Sequence, residues 1–412
     1  MAQLNITLNQ EEIQALLLDD RGEAFKKILE TSLNKILQAE SAEQLKAEPY
    51  ERSEERTDSR NGSRDRDLNT RVGGITLQVP RHRNVPFRTL IFDNYSRSEA
   101  ALVAGMAEMV VNGVSTRKVS RVMETLCGTS FSKSAVSEVC RDLEKTVKEF
   151  QTRPLEGDYP FLTVDATYFK IRENGRVISK AFMIAYGTNA EGHREILGFG
   201  VYENESGATW TDFLLGLKKR GLTGLLMITS DAHDGILNAI GKVFPTVPWQ
   251  RCQFHFIRNI TDKIPKKYQA GLRTELQEMF NCKTMAEARE MRDRIIDDYR
   301  DIAESAVVCL DEGFESSVTV MLLPSWLRRF YRTSNQIERL NKELKRRSKV
   351  IGVFPNEDSV LRLMGSVLIE LHDAMLTGRA VFSKESLSAL MKSEVPEKLI
   401  AIAEEQRRLL AA

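Results

Sequence analysis

Three carboxylates in this 412-residue chain stand where folding alone gives little reason for one. Asp165 lies inside Leu162-Thr163-Val164-Asp165-Ala166-Thr167-Tyr168. That run reads as a strand, where an ionised side chain is disfavoured by propensity and burial unless a partner compensates it. Asp231 follows the apolar run Leu225-Leu226-Met227-Ile228-Thr229 and Ser230, at the carboxyl edge where open α/β sheets place their ligand sites. Glu338 belongs to a helix expected over 335–348, and Asn341, Lys342 and Lys345 follow it at i+3, i+4 and i+7 on one face. If the strands of Asp165 and Asp231 are neighbours, each charge raises the pKa of the other unless a cation lies between them, so the pair predicts a divalent metal. Two hard cations, Mg²⁺ or Mn²⁺, held about 3.5 to 4 Å apart by three carboxylates suit in-line phosphodiester chemistry. Asn341, Lys342 and Lys345 would hold a phosphate beside them.

Each residue also has a plainer use. Asp231 is acceptable as a turn or helix-capping aspartate. Glu338 fits a capping box begun by Asn335, with Thr333 and Gln336 competing for the same helix end. Asp165 resists such a reading best. Cys252 and His255 form a C-x-x-H pair, half of the four ligands that a structural zinc needs, which favours packing or hydrogen bonding beside the site. His193 reads as a turn residue and His233 as a neighbour of the site. Trp210 and Trp326 read as core.

The elements that must position these groups follow from periodicity. Runs at 161–170, 180–187 and 196–202, separated by turns at Glu173-Asn174-Gly175 and near Gly192, read as a three-strand antiparallel meander. A helix at 210–219, the apolar strand ending at Ser230, a helix at 236–243 and a short strand near Trp249 follow. The order βββαβαβ is that of a ribonuclease-H-like core, and the fold class is α/β. The first and fourth strands are then adjacent, which sets Asp165 beside Asp231.

Upstream, residues 11–39 carry helical periodicity and predict a helical unit over 1–40. Residues 41–72, poor in large apolar groups and interleaving arginines with acids, read as a flexible linker. A DNA-binding region is expected over 73–154. It opens on a strand-like run to Pro80 and a basic element with Arg81, His82, Arg83 and Arg88. Within it, about 114–148, two helices flank Gly128. Arg117 and Lys118 open the first, and the second carries Lys133, Ser134, Ser137 and Arg141 on one side. Small polar and basic residues early in the second helix match a helix-turn-helix, although a plain helical hairpin accounts for the same pattern. The remaining divisions are a first core part over 155–260, a helical stretch over 261–325, the glutamate helix and core completion over 326–376, and a helical tail over 377–412.

Composition sets the limits. Fifty-nine basic against 58 acidic residues give a net charge of +1, so a nucleic acid must be held by local patches. Residues 284–315 carry a local charge of −6 and 324–350 carry +7, the latter including Arg346 and Arg347. No run approaches the roughly 18 apolar residues of a membrane span, and the first residues show no secretory pattern. The expected location is the cytoplasm, at the nucleoid when DNA is bound. Five scattered cysteines without a C-x-x-C pair predict reduced thiols.

Taken in order, Val79-Pro80-Arg81, Gly113-Val114-Ser115-Thr116-Arg117, Asp165 to Lys170, Arg194-Glu195-Ile196-Leu197-Gly198, Leu217 to Leu222, Ser230-Asp231, Cys252 with His255, and Thr333 to Asn341 continuing into Arg346-Arg347 make the chain resemble the Mutator-type bacterial insertion-sequence transposases from about Gly73 to Met375. One departure is Met375, where relatives usually carry Trp. The resemblance implies a DDE transposase with Asp165, Asp231 and Glu338 as the metal-binding triad, and from their positions Cys252, His255 and Asn341 are expected to support it. It also implies a helical insertion between the last core strand and the glutamate helix, in the 107 positions that separate Asp231 from Glu338. It further implies binding of terminal inverted repeats in double-stranded DNA, 3′-end cleavage, strand transfer, and a homodimer or larger synaptic assembly. The alternatives are a nuclease or resolvase using the same site, and a DNA-binding regulator whose core has decayed.

Overall fold

The computed structural model describes residues 21–51, 55–70, 73–89, 100–111, 114, 116–127, 133–349 and 351–411. The chain divides after Asp142 into two compact units.

The first unit holds α1 (Arg21–Leu45), β1 (Arg60–Thr70), β2 (Gly73–His82), α2 (Ala100–Val111), α3 (Thr116–Cys127) and the start of α4 (Lys133–Thr152). β1 and β2 pair antiparallel, with Leu68 opposite Ile75, and Leu37 of α1 packs on Leu68, Ile75, Leu77 and Val79. The stretch read as a flexible linker over 41–72 is therefore mostly folded. β1 needs almost no apolar residues of its own because β2 and α1 supply them. Its start is fixed by polar bonds: Arg60 donates to the Ala47 and Glu48 carbonyls at the end of α1 (2.8 and 3.0 Å). Asp58 accepts from the Ser59, Asn84 and Val85 N–H groups (2.7, 2.8 and 2.8 Å). Those amides, Val85 first, hold its carboxyl down at about 2. α3 and α4 begin where the sequence places two helices, while the turn between them, 128–132, lies outside the described residues.

The second unit is built on a five-stranded sheet of β3 (Phe161–Glu173), β4 (Arg176–Thr188), β5 (Arg194–Tyr202), β6 (Met227–Ser230) and β7 (Trp249–Arg251), in the order β5-β4-β3-β6-β7. β3, β4 and β5 form the antiparallel meander, while β6 pairs parallel to β3 and β7 parallel to β6. The β3–β4 turn is tight because Asn174 and Gly175 both take positive φ (48° and 77°), as a two-residue hairpin requires.

Alternation on β3 divides the core. Leu162 and Val164 join Met183, Ala185 and Leu197 beneath α5 (Gly207–Lys219) and α6 (Asp234–Val243), through Trp210, Phe213, Leu214, Ile236 and Ile240. Phe161 points to the other face. There it meets a helical layer: α7 (Gln253–Thr261), α8 (Lys266–Phe280), α9 (Met285–Tyr299), α10 (Glu304–Ser317), a 3-10 turn (Thr319–Leu322) and α11 (Ser325–Tyr331). Phe256, Leu276, Leu310, Phe314 and Tyr331 form its centre. α12 (Asn335–Ser348), α13 (Glu357–Leu376), α14 (Lys384–Met391) and α15 (Val395–Ala411) complete the unit. α7 to α11 lie between β7 and α12 in the chain, and α14 and α15 follow α13.

Candidate active site

The register brings the first two carboxylates together. Thr163 of β3 pairs with Thr229 of β6 in parallel, and Asp165 and Asp231 each stand two residues further on. Two residues restore the same side of a strand, which sets Asp165, within β3, and Asp231, just past the end of β6, toward one face of the sheet. The Ala166 N–H and the Asn341 amide donate to the two oxygens of Asp165 (2.9 and 2.8 Å). Burial, and then the nearby Asp231 charge, push the Asp165 carboxyl up to about 7 against those donors.

The third carboxylate arrives on α12. Glu338 donates its N–H to the Ser334 carbonyl (3.0 Å) as an ordinary helical residue. Neither capping box forms, because the N-cap Ser334 makes no side-chain capping bond. Its hydroxyl and N–H go instead to the Cys252 sulfur (3.2 and 3.3 Å). The Glu338 side chain, one helical turn before Asn341, makes no cap and reaches toward His255 instead.

His255 completes the group. Its Nδ1 is in close contact with Asp231 Oδ1, and its Nε2 lies 3.7 Å from Glu338 Oε1. The imidazole thus stands between two carboxylates. Burial works to lower it, but Asp231 and Cys252 outweigh burial and raise it to about 10, so it is a cation at neutral pH.

Among the described residues, Asp231, Cys252 and His255 present ligand atoms within 4.8 Å of one another, and the three carboxylates alone are not such a group. The donor set nevertheless fits a divalent cation. Glu338 Oε1 is a buried oxygen that accepts no hydrogen bond, and a hard carboxylate oxygen without a donor suits a hard cation. His255 supplies the positive charge that the convergence of Asp231 and Glu338 demands.

The sequence of the chain matches the model of the family described as "Transposase, Mutator family" over residues 1–378. It is 45% identical over 377 residues to the transposase for insertion sequence element IS256 in transposon Tn4001 of Staphylococcus aureus, covering 90% of this chain and 96% of that one. It is 38% identical to the transposase for element ISRM5 of Rhizobium meliloti (89% and 92% covered) and 37% identical to that for element IS1081 of Mycobacterium tuberculosis (94% and 96% covered). The chain belongs to the Mutator family of transposases. It is an insertion-sequence transposase, an enzyme whose partner is DNA.

The transposase sorts the remaining residues singled out in its sequence. Lys342, Lys345 and Arg346 are exposed on α12, though Arg346 is engaged by Glu343 (2.6 and 2.8 Å). Arg347 differs from the expectation that it contacts DNA. It is buried, donates to Glu343 (2.8 Å) and lies 3.7 Å from Glu370, because the turn of α12 that exposes Lys345 carries Arg347 toward α13. Arg81, Arg83, Lys118 and Arg141 are exposed. The side chains of Arg117, Lys133, Ser134 and Ser137 lie outside the described residues. His233 caps α6 by accepting from the Gly235 N–H (3.2 Å), so Asp231 is not the cap. Trp210 is core, but Trp326 is 44% exposed. The four cysteines described are free thiols, and no described helix is long and apolar enough to cross a membrane.

Sequence reasoning missed one buried charge. Lys180 of β4 is 2% exposed, with its ammonium on Glu173 (3.0 Å), Glu203 and Glu357 (2.5 Å each). Those bonds, led by Glu203 and Glu357, raise its pKa. A lysine inside the apolar run of β4 was the available signal.

Proposed function

We propose that the second unit is a ribonuclease-H-like DDE core in which Asp165, Asp231 and Glu338 hold two divalent ions, Mg²⁺ or Mn²⁺, for DNA cleavage and strand transfer. The observation that carries this reading is the convergence on α12. Asn341 bonds Asp165, while Glu338 meets the histidine that contacts Asp231. One helix thereby joins three carboxylates drawn from distant parts of the chain.

Bound cations would supply charge stabilisation to the attacking and leaving oxygens of a phosphodiester. The protein's own groups have separate tasks. Asn341 and the Ala166 N–H fix the two oxygens of Asp165. His255 compensates Asp231 and Glu338 when no cation is bound. Lys342 and Lys345, exposed beyond Glu338, hold DNA phosphates, and Arg346 extends that basic edge. In the first unit, α3 and α4 act as a helix-turn-helix on the terminal inverted repeats, with Arg117, Lys118, Lys133, Ser134, Ser137 and Arg141 as contacts, and Arg81 and Arg83 at the end of β2 add a separate basic element. The enzyme works in the cytoplasm as a synaptic dimer or larger assembly.

The test incubates purified protein with linear DNA carrying the gene's native flanks and a supercoiled target, with Mg²⁺ or EDTA. Metal-dependent nicking at defined ends and joined products are expected. Asp231→Asn should bind ends and cut nothing, and a variant that still cuts removes the assignment. Release of 3′ hydroxyls without joining would identify a nuclease instead, and binding with neither metal uptake nor cutting a regulator.

A further inference from the structure

We propose that the exposed face of the β3–β4 hairpin is a docking platform for an unpaired DNA strand, with Tyr168 stacking on a base and Lys170 and Arg172 holding phosphates. The two faces of this hairpin differ in chemistry, because successive side chains of a strand alternate between them. On β3, Thr167, Phe169 and Ile171 are buried while Tyr168, Lys170 and Arg172 are exposed. The register carries the division onto β4. Lys170 pairs with Ser179 and Arg172 with Val177, both exposed, whereas Phe169 pairs with the buried Lys180.

The buried side fixes the exposed one. Phe169 meets Phe182 and Phe354 edge-on, at 5.6 and 5.8 Å between centroids. Phe354 also clamps the backbone of both cationic residues, since its N–H donates to the Lys170 carbonyl and its carbonyl accepts from the Arg172 N–H (2.8 Å each). The same side draws off the nearby acids. Glu173 at the end of β3 and Glu203 just past β5 are bonded to the Lys180 ammonium (3.0 and 2.5 Å). Among the described residues, neither Lys170 nor Arg172 is ion-paired, and Ser179 and Val177 set no acid beside them.

Tyr168 is 48% exposed and stands three residues from Asp165. Burial first, and then Glu205 at its hydroxyl, raise its pKa, so the ring is uncharged at neutral pH. The Glu205 charge also acts on Asp165, which puts the tyrosine end of the platform nearest the carboxylates, although the ring points to the opposite face of the sheet. β6 pairs with β3 no further than Thr163. Beyond it, that side of β3 is the margin of the sheet, and a strand leaving the carboxylates reaches Tyr168 around it.

The partner follows from the residue types. An exposed ring on a rigid strand offers a stacking surface to a base that is not already held in a duplex. Lys170 and Arg172, two strand residues or roughly 6.7 Å apart, continue the line with cations, and an aromatic group in line with cations tracks a single strand without reading its sequence.

This inference rests on DNA being the partner, and the test keeps the two apart. Full-length protein is titrated against a blunt fluorescent duplex from the gene's flank and the same duplex carrying an unpaired tail, over a range of salt. Wild type should bind the tailed duplex more tightly. Tyr168→Ala should lose about tenfold on the tailed duplex and nothing on the blunt one, while Tyr168→Phe, which keeps the ring, should behave as wild type. Lys170→Gln/Arg172→Gln should reduce the slope of log affinity against log salt by about 1.4 on the tailed duplex alone. All three side chains are exposed, so thermal melting of the variants should match wild type. Equal wild-type affinity for the two duplexes would overturn the platform and leave the transposase reading intact. Equal losses on both duplexes would overturn it too, since that is a duplex contact, and a Tyr168→Phe loss as large as that of Tyr168→Ala would overturn stacking. A wild-type protein that bound neither duplex would remove both readings.

Discussion

Replacing Asp165 by Asn should stabilise the metal-free protein at high pH, the reverse of what removing a buried hydrogen-bonded group usually does. Burial and Asp231 move this carboxyl from 3.8 to about 7. At about 1.4 kcal/mol per unit, the shift of about three units means that ionising it in the fold costs on the order of 4 kcal/mol more than in the unfolded chain. A group whose folded pKa is raised binds more protons when folded, so its presence lowers stability progressively as pH climbs from the unfolded value towards about 7, and no further above that. Urea unfolding of metal-free protein at about pH 5 and about pH 8 should therefore show wild type losing roughly 3 kcal/mol relative to Asp165→Asn, which has the same shape and no proton to release. Adding Mg²⁺ at the higher pH should return the difference to wild type alone, because a cation makes the ionised form the favoured one. Equal pH dependence in the two proteins would show that Asp165 and Asp231 do not crowd each other, and the shared-metal argument would go with it.

Three further outcomes follow from the same geometry. His255, raised to about 10, gives stability that is complete below the unfolded value of 6.5 and disappears as pH rises through about 10, so His255→Ala should cost about 2 kcal/mol at pH near 6 and little in strong alkali; a constant cost across pH in melting curves would refute the charged state. Arg347→Ala should cost about 2 kcal/mol in urea unfolding because it empties a buried site between α12 and α13, with Glu343 still held by Arg346, whereas Arg346→Ala, exposed on the same helix, should leave the midpoint unmoved. Trp249→Phe deletes the indole N–H that reaches Ser230 Oγ (2.9 Å), so it should cost about 1 kcal/mol and raise the Mg²⁺ concentration for half-maximal cleavage several-fold, with DNA affinity as the control that stays constant.

What the sequence made legible was what depends on near neighbours. The meander, the strand ending in Ser230 and the helix bearing Glu338 each announce themselves within a dozen residues by period, turn and flanking charge, and the parallel pairing of β3 with β6 then places two carboxylates. β1 was hidden because its apolar partners lie on other elements: eleven residues with a single leucine among arginines, aspartates and small polar groups look unable to bury anything until Leu77, Val79 and Leu37 are brought against them. His255 was underestimated for a related reason. A C-x-x-H pair is two ligands short of a zinc site, and nothing near it in the chain reveals that Asp231 and Glu338 close on the imidazole from opposite sides. Arg347 was overestimated because a run of basic residues does not record which of them faces the neighbouring helix.

The site draws on β3, the end of β6, the start of α7 and α12, so the insertion between β7 and α12 must dock before the carboxylates meet. The dependence extends past residue 378, where the match to the family ends. β7 is an edge strand of three residues, and an edge leaves backbone groups unpaired. The Gln406 carboxamide on α15 accepts from the Trp249 N–H and donates to the Trp249 carbonyl, both at 2.8 Å, doing for one residue what a sixth strand would do. Trp249 passes that order inward to Ser230, whose hydroxyl donates to the Asp231 carbonyl (2.9 Å) and whose own carbonyl accepts from the Cys252 N–H (2.8 Å). Asp231 and Cys252 therefore take their positions partly from a tail that carries no chemistry of its own.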